Sequence, residues 1–135
     1  MADLTITAAS VRPVGHCIVR RFTAGETITP GQPVYVSANN TVSLTDGSAL
    51  TTAACIGLAI SNSDGATSFS SGEEIDVVLF GVVEGFATNL AANTAVYVDD
   101  DAGVLADAVG TKVCRVGIGL NTTQLLVNPM LIVSA

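Results

Sequence analysis

The chain has 135 residues, 49% of them hydrophobic and only 13% charged, with a net charge of −7 at pH 7. That length suits one domain that buries its own core without metals or disulfides. The five cations (Arg12, Arg20, Arg21, Lys112 and Arg115) are too few to build a basic face for a nucleic-acid backbone. The acidic balance also disfavours an anionic membrane surface, so neither nucleic acid nor membrane is expected as a partner.

In chain order, "ADLTITAASVRP" (Ala2–Pro13) alternates in a β-capable way. It reads as part of an extended N-terminal arm, residues 1–17, ahead of an all-β domain at 18–135. The start carries neither a basic region nor an apolar signal core, so synthesis in a reducing cytoplasm without export is expected. Three well-separated cysteines, Cys17, Cys55 and Cys114, agree with that expectation.

Helical periodicity is nearly absent beyond. Short β-branched runs predict strands at Cys17–Phe22, Gln32–Val36, Val42–Leu44, Cys55–Ile60 and Ile75–Val83. Further strands are predicted at Ala95–Val98, Gly103–Leu105, Cys114–Leu120, Gln124–Val127 and Met130–Val133. Turn-type clusters such as "TPGQP", "SANN", "TDGS", "SSGEE" and "DDDAG" separate them. A short helix fits Leu50–Ala54, and a second, weaker one Leu90–Ala92. Strands at this spacing predict a compact β-sandwich or a barrel-like (β-tulip-like) domain.

Part of the chain is written twice. "PVYVSANNTVSLTDGSALTTAACIGLAISN" (33–62) matches "AVYVDDDAGVLADAVGTKVCRVGIGLN" (95–121). Val34-Tyr35-Val36 corresponds to Val96-Tyr97-Val98, and Ile56-Gly57-Leu58 to Val116-Gly117-Ile118. Each half reads as hairpin, loop and glycine-containing strand. Alternation puts the valines on the core side and leaves Tyr35 and Tyr97 at its boundary.

Catalytic and metal signatures are sparse. The single histidine, His16, adjoins Cys17, and adjacent strand residues face opposite ways. Asp99, Asp100 and Asp101 gather three carboxylates, but without the alternating spacing of a calcium loop they read as a hairpin turn. Glu84 stands alone in the apolar "GVVEGF". Gly117 and Gly119 sit in a strand pattern with no following helix, which fails the test for a phosphate loop. Arg20 and Arg21 are a paired basic feature, suited to a salt bridge. No cofactor and no catalytic residue is expected.

In their order, "AGETITPGQPVYV", "CIGLAISN", "EEIDVVLFGVVEGFA", "AVYVDDDAGVLA" and "RVGIGLN" resemble the head decoration, or capsid cement, proteins of tailed bacteriophages. The resemblance spans about Ala24 to Val127. It implies a non-enzymatic protein of the outer virion surface, made in the host cytoplasm. Such a protein binds the major capsid protein of the expanded shell, clamps neighbouring capsomers and self-associates, often as a homotrimer. The arm residues Ala2, Asp3, Leu4, Thr5, Ile6, Thr7 and Arg12 then become candidates for contact with the shell. Arg20, Arg21 and Glu84 become candidates for subunit contacts. The alternatives are a head-fibre base, an adhesin or a carbohydrate-binding β module, and behind these an enzyme using Glu84 or the Asp99–Asp101 cluster.

Overall fold

The computed structural model describes residues 3–62, 65–88 and 90–132. Its elements are β1 (Thr5–Ile6), a 3-10 turn at Ala8–Ser10, β2 (Arg12–Ala24), β3 (Pro33–Ala38), β4 (Thr41–Leu44) and α1 (Leu50–Ala53). Then come β5 (Gly57–Ala59), β6 (Glu74–Glu84), β7 (Phe86–Thr88), β8 (Ala95–Val98), β9 (Leu105–Ala106), β10 (Val113–Gly119) and β11 (Gln124–Ile132). The fold is all-β, as the spacing of apolar runs predicts.

Nine strands form one mixed sheet in the order β2-β4-β3-β5-β6-β11-β10-β8-β9, and β2 also pairs with β6. That extra pairing closes β2, β4, β3, β5 and β6 into a ring, a small five-stranded barrel. Phe22, Ala24, Ile28, Val34, Val42, Ala59, Phe69, Ile75 and Val77 fill it. The remaining strands curve around a second core that includes Leu58, Val78, Val83, Val96, Val98, Val116, Leu125 and Val127. The wall between the cores is β5 with β6. Alternation along these strands sends Ala59 and Val77 into the barrel and Leu58 and Val78 into the second core.

Both faces of that wall are therefore apolar. This explains the unbroken hydrophobic run of β6, which reads as a strand buried on two sides. The run changes phase at Gly81. Its φ is +132°, and Cys17 packs where a side chain would stand. Past this point the odd-numbered Val83 faces the second core, whereas the odd-numbered Ile75 and Val77 face the barrel.

The internal repeat is visible in the register. Val34 lies opposite Gly57, and Val96 opposite Gly117. Gly31 N–H donates to Ala59 O at 2.8 Å, and Asn93 N–H donates to Gly119 O at 2.7 Å. Both Gly31 (φ +95°) and Asn93 (φ +63°) adopt the left-handed conformation that delivers the chain into the Val-Tyr-Val strand. The two units meet where β6 pairs antiparallel with β11, Val83 opposite Leu125.

Several expectations need correction. The boundary after Cys17 falls inside β2, which runs unbroken from Arg12 to Ala24. The preceding residues are not a free arm. Leu4 N–H donates to Leu105 O at 3.0 Å, Asp3 bridges to Ala106, β1 pairs with β7, and Thr7 N–H donates to Gly85 O at 2.7 Å. This segment covers the outer edge of β9, whose unpaired backbone groups attract a partner strand.

Predicted strands 124–127 and 130–133 form one element, β11, with an extra residue at Asn128–Pro129 relative to β10; Val133 lies outside the described residues. Residues 92–93 form a turn in place of the weaker helix, and Asn93 sets its geometry. Val36, expected in the core, is 46% exposed because it lies at the open end of the barrel.

Candidate functional surface

The proposed arm contacts split between packing and exposure. Leu4 and Ile6 are half-buried and pack against the second core, with Ile6 filling the space beside Gly31. Thr5 contributes a backbone pairing with Thr88. Asp3 and Thr7 are exposed, and Ala2 lies outside the described residues. Arg12 is half-buried on β2, directly opposite Glu84 across the strand pair.

Asp3 stands beside an acidic turn. A hydrogen bond with Asp99, followed by burial and the charges of Asp99 and Asp101, holds its carboxyl above the usual range, with the amino terminus opposing. Asp99 itself is buried and accepts from Asp100 N–H at 2.6 Å. Asp100 turns the other way, accepting from Thr111 N–H at 2.7 Å and from its hydroxyl at 2.5 Å, and these bonds lower its pKa. Asp99 and Asp100 thus have different protein partners, and the Asp101 backbone carbonyl accepts from Val104 N–H at 3.3 Å within the turn. Among the described residues no group of three His, Cys, Asp or Glu is placed to hold a metal ion.

The subunit-contact candidates are not brought together. Arg21 bonds Asp76 at 3.1 Å and Glu74 at 3.3 Å within its own chain. Arg20 donates to Asn40 Oδ1 at 2.8 Å, and its guanidinium lies 4.9 Å from the centre of the Phe22 ring. Glu84 is exposed at the far end of β6, between Arg12 and Gln124. Arg20 and Arg21 do face opposite ways, as successive strand residues must.

The cysteines are placed for packing. Burial, reinforced by nearby Cys114, pushes the Cys55 thiol up to about 12, and burial raises Cys114 as well. Neither is a thiolate nucleophile at neutral pH. Cys17 donates to Val82 O at 3.4 Å, while the adjacent His16 is exposed.

One surface was not singled out by sequence reasoning. Where β6 leaves β11, the barrel opens into a groove of about 460 Å³ lined by Arg20, Phe22, Val36, Ile56, Phe80 and Pro129, among others. On the same strands, β2 and β11, Ile18 (60% exposed), Val19 (41%), Met130 (49%) and Ile132 (45%) are also exposed. The signal was present in "CIVRRF" and "NPMLI", which are apolar on both alternating faces but have only one neighbouring strand to bury them.

No protein-family model matches the chain, and no curated protein matches it.

Proposed function

We propose that this protein is a structural decoration protein of a tailed-phage head. It binds the outer surface of the expanded capsid as a homotrimer and stabilises the shell by clamping neighbouring capsomers. The observation that supports this best is the repeat, whose family-like motifs occupy matching registers in two units of one sheet. The functional groups around it are spent on turns, edges and packing: Asp100 on Thr111, Arg21 on Glu74 and Asp76, Cys55 in a core.

On this reading, affinity comes from many modest contacts made together. A trimer that touches several capsomers gains by multivalency, and a ligand of the expanded shell stabilises that state by mass action. The exposed N-terminal residues Asp3 and Thr7 and the half-buried Arg12 are the shell-facing candidates. Leu4 and Ile6 join them only if the segment undocks from β9 and β7.

The direct test mixes purified protein with expanded, undecorated heads of the encoding phage and sediments them. Co-sedimentation at micromolar protein, saturating at a fixed number of copies per head, is expected. Protein that stays in the supernatant overturns the proposal.

A further inference from the structure

Two stretches of strand edge lack a partner strand among the described residues. Strand β2 pairs with β6 along one side, but on its other side it meets β4 only at Thr23 and Ala24. Pro13, which has no N–H, and the irregular stretch between Val14 and Ile18 blunt the first part of that free edge. Nothing similar protects Ile18–Arg21, where Ile18 and Val19 on the two faces are both exposed. The second open stretch is in β11. Its pairing with β6 stops at Val127, so among the described residues Asn128–Ile132 pairs with β10 alone; Pro129, which has no N–H, blunts the start of that edge and leaves Met130–Ile132 open.

We infer that the free edge of β2 at Ile18–Arg21 seats the Met130–Ile132 edge of β11 from a second copy of this chain. Charge selects a second copy. β2 holds three of the five cations, Arg12, Arg20 and Arg21, and none of the twelve acids. Arg20 has a neutral hydrogen-bond partner, Asn40, so its charge is left for the strongly acidic remainder of a neighbour. The same charges disfavour β2 against β2, since arginines would face arginines across the pair.

β11 carries no charge from Gln124 to Ile132 and exposes Met130 and Ile132, which match Ile18 and Val19 in kind. Joining two different edges is a head-to-tail contact, which closes into a ring when the rotation allows. The inference deepens the decoration reading by assigning its self-contact, but it stands on the strand edges alone.

The test measures mass in solution by light scattering for the wild type, Ile18→Lys, Val19→Lys and Met130→Lys. Far-UV circular dichroism confirms that each variant folds, as expected at exposed positions. The wild type should be oligomeric at tens of micromolar, and each variant should self-associate about tenfold more weakly or worse. Amides of Ile18–Arg21 should exchange faster on dilution in the wild type.

A monomeric wild type overturns the inference, as does an oligomer indifferent to all three lysines. Sensitivity at Ile18 but not Met130 overturns the choice of β11. Head sedimentation is read separately. A monomer that still decorates heads, and loses that ability with Ile18→Lys, assigns this edge to the shell and leaves the decoration reading standing. An edge-paired oligomer that never binds heads does the reverse.

Discussion

The two halves of this molecule start from the same phrase and end differently. In the first unit, β2 pairs with both β4 and β6 and turns the hairpin and its glycine strand into a closed barrel. In the second unit no strand among the described residues closes the ring, and Asp3 and Leu4 cover the edge of β9. The repeated hairpins have equivalent registers, so the difference comes from segments outside the repeat. Closure is a property of what is added to the unit: β2 closes the first half, and the segment from Asp3 caps the open edge of the second.

The glycines are where the halves should behave alike. A side chain on Gly57 would run into the backbone carbonyl of Val78, and one on Gly117 into that of Leu126. Neither carbonyl can swing aside without losing the strand pairing. Gly57→Ala and Gly117→Ala should each cost roughly 3 kcal/mol or more, the upper range for overpacking. Urea denaturation measures this. A loss under about 1 kcal/mol at either site would break the equivalence of the two strands.

The shared wall should make the halves melt together. Leu58 is fully buried on the side of β5 that faces the second core, although β5 belongs to the first unit. Leu58→Ala should cost about 3 kcal/mol. The chain has no tryptophan and one tyrosine in each unit, Tyr35 and Tyr97, so Tyr97→Phe and Tyr35→Phe versions report the units separately by fluorescence. Coincident transitions with the same shift in both versions are expected. Separate midpoints would mean that the wall does not couple the cores.

The coverings should differ in strength. Ile6→Ala removes half-buried apolar surface from the N-terminal segment, at about 1 kcal/mol. Because β1 is two residues long, that loss should appear as local opening more than global unfolding. Amide exchange at Leu4 and Thr7, which donate to Leu105 and Gly85, should quicken while β6 and β10 remain protected. Uniform quickening would show the segment to be part of the global core.

These differences mark what a sequence can and cannot reveal. The Val-Tyr-Val strands, the turn at Gly31 and the glycine strands were legible because each depends on local periodicity or turn chemistry. Even the half-buried placement of Tyr35 and Tyr97, at the boundary of the core, follows from alternation. The double pairing of β2 was not legible, since nothing in "RRFTA" states that one strand serves two neighbours. Val36 shows the same limit: its spacing is that of a core residue, yet it stands at the barrel mouth. The N-terminal segment was misread for a related reason. "LTIT" alternates like a free strand, and only the open edge of β9, formed by residues a hundred positions later, gives it a place to dock.

That docking carries the smallest expected effect and a defined sign with pH. The hydrogen bond to Asp99 and the charges of Asp99 and Asp101 raise the Asp3 carboxyl above its ordinary value of 3.8. A carboxyl raised in the docked state contributes fully below its free value. That contribution is lost as the pH rises through the raised value. The segment should therefore hold more tightly near pH 4 than at pH 7, where the acidic turn repels an ionised Asp3. Asp3→Asn keeps a donor toward Asp99 at every pH. It should slow exchange at the Leu4 amide at neutral pH and remove the pH dependence of that protection, once the intrinsic rates are divided out. If Asp3→Asn leaves Leu4 as labile as in the wild type, the acidic turn does not govern how the second half of the molecule is closed.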